Sequence, residues 1–398
     1  MGFENHKTVF RSCGILALIT LYHLNPVEFA YGRNIASGRH DLELVKHKGT
    51  FKSIESKNGE VIDCVDIYKQ PAFDHPLLKN HTIEMHPSSN QNVVESENDQ
   101  ITPYLQEWHE NGECPEGTIP IVRTLKSVYP RKAILNISID RIGHHQFGAP
   151  TGHEYAQVTF NGGKYYGVQA NINVWTPTTY SSEYSLAQLW VLSGEGENLN
   201  SVEAGWMVNS GDKFTKFFTF WTRDGYQNSG CYNLDCPGFV QVNRRFALDY
   251  KINRVSTYNG PQFNIPITIF KNKVSGHWWL QILNTSIGYW PDSIFTTLRD
   301  GSNTINCGGE IINNEAGGRH TQTDMGSGHF PIEGFKRASY FSNIKYMDGN
   351  GEFKDPEQLI PYATKPSCYD LHVGEDKSTS SGTYFYFGGP GYSDICQN

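Results

Sequence analysis

Charge is scarce in this chain of 398 residues, with Asp, Glu, Lys and Arg together making 19%. The balance is acidic, a formal net charge of -8, and no long basic run interrupts it. Basic patches are the footprint of nucleic-acid binders, so the composition argues against a nucleic-acid partner. Long apolar runs are missing too. The stretch "CGILALITLY", Cys13 to Tyr22, is about ten residues and too short to span a bilayer. Several catalytic signatures are also absent. No G-x-S-x-G nucleophile elbow occurs, because the serine of "MGSGHF" has the wrong spacing. His153-Glu154 is followed by Tyr-Ala-Gln, so there is no H-E-x-x-H zinc helix. No phosphate-binding glycine loop precedes a helix, no internal repeat is found, and no second cysteine or histidine pair gives zinc-ligand spacing. Nothing therefore calls for a metal or cofactor. His144, His145 and His153 cluster, but surface or core positions suit them better than ligation.

What is present points to strands. The chain holds 39 glycines, 22 tyrosines and 13% aromatic residues, a composition that suits a glycine-punctuated β protein. Its N-terminus reads as a secretory signal over residues 1–32. Lys7 and Arg11 precede the apolar core, and Ala30-Tyr31-Gly32 supplies small residues for cleavage. The expected product is a soluble, secreted monomer with no membrane contact, in the extracellular space or apoplast, or in the vacuole. Secretion makes cysteines disulfide candidates. Cys13 leaves with the signal, and Cys64, Cys114, Cys231, Cys236, Cys307, Cys368 and Cys396 remain. That number is odd, so one thiol is free or pairs outside the chain. Cys231 and Cys236 are close enough for a local staple. Sequons at Asn80, Asn136 and Asn284 fit a secretory route.

Two regions follow the signal. Residues 33–143 hold few alternating strands, and Ser88 to Thr102 ("SSNQNVVESENDQIT") reads as a flexible loop that Cys64 and Cys114 would close across. "RIGHHQFGAPTG", residues 141–152, has no periodicity and reads as a linker and processing site. Residues 144–398 form the second region, where alternation becomes persistent from His153. Ala156, Val158 and Phe160 alternate with Tyr155, Gln157 and Thr159, and Asn161-Gly162-Gly163 predicts a hairpin. Tyr166, Val168, Ala170, Ile172 and Val174 line one face of the next strand. Further strand candidates lie at 185–193, 201–209, 215–222, 237–243, 264–270, 277–284, 305–312, 339–346 and 383–388. The clearest helix candidate is "PDSIFTTLRD" from Pro291, with Ile294, Phe295 and Leu298 on one side. Many strands and little helix predict an all-β protein. Its rear part reads as an antiparallel β-sandwich, preceded by a smaller front domain.

Two acids stand out by their setting. In "SVEAGWMVN", Val202, Ala204, Trp206 and Val208 share one face, and Glu203 points the other way beside Ser201 and Gly205. In "INCGGEII", Glu310 shares its face with Asn306 and Gly308. Each glutamate thus has a glycine as same-face neighbour, which would leave open space beside the carboxylate; the plain alternative is a pair of solvated surface acids. If both line one cleft, like charges would hold one proton between them in acid. One carboxyl could then take a proton from water while the other protonates a leaving group. Peptide and glycosidic bonds can both be hydrolysed this way. A two-carboxylate glycoside hydrolase, or a glycan-binding or cell-wall sandwich without catalysis, therefore stays open beside a peptidase.

At these residues the chain resembles the neprosin-type glutamic peptidases. "GEVIDCVDIYKQPAFDHPLLKNH" and "NGECPEGTIPIVRT" look like the family's activation peptide. "HEYAQV", "VEAGWMVN", "TRDGYQNSGCYNLDCPGFVQ", "CGGEIINN", "TDMGSGHFP" and "FYFGGPG" look like its peptidase domain, in the family's order. The resemblance implies a secreted zymogen inhibited by its own propeptide, with Glu203 and Glu310 as the catalytic pair and a water nucleophile. It implies acid endopeptidase cleavage on the C-terminal side of proline, hence a polypeptide and proline-rich substrate. It also implies disulfides Cys231–Cys236 and Cys368–Cys396, leaving Cys64 and Cys114 to each other. One departure is plain: relatives usually read Trp-Gly-Gly-Glu where this chain has Cys307-Gly308-Gly309-Glu310. Cys307 is expected to be the free thiol, packed behind the site.

Overall fold

Alternation in the rear part becomes strand, and the apolar member of each pair turns toward one shared interior. The structure is a computed structural model and describes residues 46–88, 106–123, 152–180, 182–212, 214–315, 318–374 and 381–397. The signal peptide, the polar stretch after Ser88 and the linker as far as residue 151 lie outside the described residues, with Asn136, His144 and His145. All described residues belong to one unit, Leu44–Asn398. No helix among them is long and apolar enough to cross a membrane.

A small front sheet is made of β1 (Thr50–Glu55), β2 (Val61–Asp66) and β3 (Thr118–Val122). Next come β4 (His153–Tyr165), β5 (Gly167–Asn173), β6 (Tyr184–Ser193), β7 (Asn200–Asn209) and β8 (Lys216–Thr222). They are followed by β9 (Cys231–Tyr232), β10 (Val240–Gln241), β11 (Asn264–Lys271), β12 (Trp278–Ile282), β13 (Thr285–Trp290) and β14 (Ser302–Ile312). The last are β15 (Ser339–Met347), β16 (Phe353–Lys354), β17 (Ile360–Ala363), β18 (Asp370–Val373) and β19 (Phe385–Gly388). The rear strands pair antiparallel into a seven-stranded sheet, ordered β17-β4-β14-β6-β7-β8-β9. A nine-stranded sheet runs β10-β13-β12-β11-β5-β15-β19-β18, with β16 on β15.

The two large sheets pack face to face. Ala156, Val158, Leu189, Val202, Ala204, Trp206, Ile305 and Ile311 of the first meet Val168, Ala170, Ile172, Ile267, Ile269, Phe341 and Phe387 of the second. Each of these positions alternates with an outward one, so burying one face of each sheet fixes the register. The sandwich expected from the alternation is present.

Two local expectations fail. Asn161-Gly162-Gly163 does not make a hairpin. β4 continues to Tyr165, and its register against β14 slips between Thr304↔Asn161 and Ser302↔Tyr165, so these residues bulge from the ladder. Tyr165 is buried edge-on against Phe160 at 5.5 Å and Tyr346 at 5.2 Å, which carries the strand past the glycines. The chain then crosses to the other sheet as β5, so the apolar faces of β4 and β5 oppose one another instead of lying side by side. After Pro291 there are two 3-10 turns, Asp292–Ile294 and Thr297–Asp300, and no α-helix. Ile294, Phe295 and Leu298 are buried as their spacing suggested. However, Asn200 Oδ1 accepts from the Thr296 N–H at 2.7 Å and the Thr297 N–H at 3.0 Å, taking donors that a continuous helix needs.

The front sheet is docked on the sandwich by amides and aromatic packing. Gln106 Nε2 donates to Ala247 O at 2.6 Å and Gln106 Oε1 accepts from Ala247 N at 2.8 Å. Gln70 does the same to Gln241, at 3.0 and 2.8 Å. Ile54, Ile62, Trp108 and Val122 share a buried cluster with Ala247 and Tyr250. Disulfides join Cys64–Cys114, Cys231–Cys236 and Cys368–Cys396, and Cys307 is free and buried.

Candidate active site

Both glutamates lie on the outer face of the seven-stranded sheet. β7 is buried on both faces, with Val202, Ala204, Trp206 and Val208 inward and Ser201, Glu203, Gly205 and Met207 outward. β14 behaves alike: Ile305, Cys307 and Ile311 face the core, while Asn306, Gly308 and Glu310 face outward. β6 lies between them. Its outward residues are Tyr184, Leu186, Gln188, Trp190 and Leu192, and around them Tyr155, Met207, Phe218 and Phe220 form an aromatic-rich cluster flanked by Tyr226, Tyr232 and Tyr362.

Register fixes the layout. Glu203 pairs with Trp190, Glu310 pairs with Leu186, and Gln188 between them pairs with Gly205 on one side and Gly308 on the other. The glutamates therefore stand at opposite corners of a diagonal, on one sheet, with Gln188 at its midpoint. On an untwisted lattice the two Cα atoms would be about 16 Å apart, given ~4.8 Å between strands and ~3.3 Å per residue. Among the described residues the two carboxyls are not hydrogen-bonded to each other. Each carboxyl has its own donors. The glycines also act differently from the expectation of open space. A Cβ on Gly205 would lie 2.0 Å from Ala187 O and 2.6 Å from Gln188 Cα. One on Gly308 would lie 2.5 Å from Ala156 O and from the Cα and Cβ of Gln157. These glycines let adjacent strands and their glutamines come close.

Glu203 is 4% exposed and Glu310 6%. Ser201 Oγ and Tyr226 OH donate to Glu203 Oε1, at 2.7 and 2.6 Å. Burial nevertheless pushes the Glu203 carboxyl up to about 7; Ser201, Tyr226 and Gln188 oppose this through hydrogen bonds, and the charge of Glu310 adds a smaller push upward. Desolvation, and not like-charge repulsion, is the leading cause. Glu310 Oε1 accepts from Tyr184 OH at 2.6 Å and faces His153 Nδ1 at 2.6 Å. Burial, then the charge of the adjacent glutamate, raises Tyr184 and Tyr226 well above 10.0, so both hydroxyls remain donors.

Four polar atoms on or beside this face are buried without a hydrogen-bond partner among the described residues: His153 Nε2, Tyr155 OH, Gln188 Oε1 and Asn306 Oδ1. Sequence reasoning singled out Glu203, Glu310, Ser201 and Asn306, and missed Gln188, Tyr184 and Tyr226. Gln188 was legible as the one amide in the outward series of β6; Tyr226 was not, because it reaches Glu203 from a turn where its φ is +65. His153 joins the site through Nδ1, 2.6 Å from Glu310 Oε1. Cys307, 0% exposed, lies on the core side, and burial pushes its thiol well above 9.0. Gly309 also faces the core, where Phe387 Cε2 would be 2.6 Å from a Cβ. His320, Cys368 and Cys396 lie close enough to suggest a metal group, but both cysteines are spent in their disulfide.

Taken with the fold, this is a β-sandwich protein with a two-carboxyl face set into its seven-stranded sheet. The chain belongs to the neprosin family: the pattern described as Neprosin matches residues 181–390, and that described as Neprosin activation peptide matches residues 53–163. It is a peptidase chain preceded by its activation peptide. The activation-peptide match runs well into β4, although β4 is built into the sandwich and brings His153 and Tyr155 to the site. Among solved structures, scytalido-glutamic peptidase with a peptide-based transition-state analogue is similar at 12% identity and a TM-score of 0.33, over 60% of this chain and 98% of that one. SCP-B, a member of the eqolisin family of peptidases in complex with the tripeptide Ala-Ile-His, is similar at 11% identity and a TM-score of 0.29, over 59% of this chain and 96% of that one. CG-16, a homodimeric agglutinin from chicken liver, is similar at 6% identity and a TM-score of 0.23, over 39% of this chain and 93% of that one. Likeness this slight carries no functional information.

Proposed function

We propose that this protein is a secreted acid endopeptidase, made as a zymogen, that cleaves polypeptides on the C-terminal side of proline with Glu203, Glu310 and a water nucleophile. The observation that carries the reading is the unequal setting of two buried glutamates on one face. Glu203, raised to about 7, is protonated in acid and serves as the acid. Glu310, with His153 and Tyr184 at one oxygen, serves as the base. Glu310 takes a proton from water as the water oxygen bonds to the peptide carbonyl carbon. Glu203 donates a hydrogen bond to the resulting oxyanion, and the proton taken by Glu310 passes to the amide nitrogen as the C–N bond breaks, which returns Glu310 to its carboxylate.

The proline preference rests on family membership. Secretion rests on the N-terminal signal pattern and is supported by three disulfides. Two of the sequons, Asn80 and Asn284, are exposed and thus open to glycosylation. Incubating the matured protein with a proline-rich polypeptide in acid, and reading product termini by mass spectrometry, tests the reading. New C-termini ending in proline are expected; release of reducing sugar without peptides would select a glycoside hydrolase instead.

A further inference from the structure

Resting on that reading, we propose that Gln188 is a third catalytic group of this site, holding Glu203 through its Nε2–H and orienting the attacking water through Oε1. Three observations converge on it. The first is position. Gln188 is on β6, flanked by Gly308 and Gly205, and sits midway between the strands that carry Glu310 and Glu203. Gly205 meets it so closely that a Cβ there would lie 2.7 Å from Gln188 Cβ, so neither flank offers a side chain to compete with it.

The second is bonding. Gln188 lies close enough to Glu203 to favour its ionised form by hydrogen bonding, the action of an amide N–H and not of a carbonyl oxygen. Oε1 is left as an acceptor, buried and without a partner among the described residues. A buried carbonyl that lacks a partner is destabilising, because it gives up water and gains no hydrogen bond in return. The third is composition. The outward neighbours of Gln188 on its own strand are Leu186 and Trp190, and the residue itself is only 2% exposed. An apolar residue of equal volume would satisfy this setting better, so the amide needs a reason to be there.

A water on that face, between Gln188 Oε1 and Glu310, supplies it. One O–H of the water donates to Oε1 and the other to Glu310. When the oxygen bonds to the substrate carbonyl carbon, the second proton passes to Glu310 and the first remains on the new hydroxyl, bonded to Gln188. The amide neither gains nor loses a proton. Asn306 Oδ1 is also unpartnered, but Asn306 pairs with Trp190 and lies two residues beyond Gly308, on the side away from Glu310.

The test compares Gln188→Met and Gln188→Glu in the activated enzyme, beside Glu203→Gln and Glu310→Gln. Methionine keeps shape and loses polarity, so kcat should fall roughly 100-fold with KM little changed. At about pH 3 the glutamic acid is protonated and offers the same donor and acceptor as the amide, so kcat should stay within roughly tenfold of wild type. A packing role predicts the reverse order, with methionine tolerated and glutamate not. Near-normal kcat in Gln188→Met, or a loss confined to KM, overturns the proposal. Should the methionine variant not fold, a folded Gln188→Glu protein with kcat lost in strong acid overturns it instead. If Glu203→Gln or Glu310→Gln keeps activity, the two-glutamate reading itself has failed, whatever Gln188 does.

Discussion

Replacing Glu203 by Gln should cut kcat roughly 100-fold or more and yet stabilise the protein at neutral pH. In the folded state the carboxyl titrates at about 7, against an ordinary value of 4.5, chiefly because it is buried. The folded protein thus holds this proton more tightly than the unfolded chain does. Stability from this group is fully present below about 4.5 and is lost as pH rises through about 7. At 1.36 kcal/mol for each tenfold change in proton affinity, the loss is about 3 kcal/mol. Glutamine keeps the volume and an oxygen to accept from Ser201 and Tyr226, but never ionises. Urea unfolding of wild type and Glu203→Gln should therefore give similar stabilities at about pH 4 and a variant more stable by about 3 kcal/mol at about pH 8. Asp249, also raised to about 7 by burial, titrates over the same range but is common to both proteins and cancels in the difference. Autolysis of wild type in acid is avoided by making the comparison on a Glu310→Gln background. A difference that does not change with pH, or a variant less stable at the higher pH, would refute the argument from burial.

Three further outcomes follow from the same structure. Cys307 is buried and its thiol is pushed up by desolvation, so a thiol reagent should label it only after unfolding; rapid labelling of native protein would contradict this. Gly205→Ala should cost at least about 1–3 kcal/mol, because its Cβ would press on Ala187 O, whereas Gly349→Ala, which meets only Tyr166 Cε2 at 3.7 Å, should be near neutral; equal unfolding midpoints would sink the packing argument. The front part should loosen from the sandwich in acid. His277 packs 5.3 Å from His81 of the front part and is lowered from 6.5 to about 4 by burial, then by His81 and Lys271, with Asp292 opposing and Glu84 3.8 Å away. Its contribution is present above about 6.5 and lost as pH falls toward about 4. His277→Gln should hold the front part on the sandwich at lower pH, as read by gel filtration after processing; release at an unchanged pH would count against it.

The sandwich was legible because period-2 alternation is strong wherever one face is buried, as in β4, β6, β7 and β14. The turn at Asn161 and the helix at Pro291 were misread for a shared reason. Local signals there are overridden by distant partners, Tyr346 holding Tyr165 in the one and Asn200 capturing backbone donors in the other. The outward placement of Glu203 and Glu310 could be read from alternation alone. That they sit on adjoining strands of β6, and that Gln188 lies between them, could not, because strand order is set by long-range pairing. The small residues beside each glutamate were visible, but their purpose was not: they admit neighbouring backbone and do not open a void.

The most direct test of the central claim is the peptidase activity of Glu203→Gln, Glu310→Gln and the double variant, each confirmed to be folded and processed. Processing can be done in trans by a small amount of wild-type enzyme that is then removed. Each single variant should lose roughly 100-fold or more in kcat at acidic pH, and the double variant should be little worse than either, because the two carboxyls serve one reaction. Near-normal activity in either single variant would contradict the account.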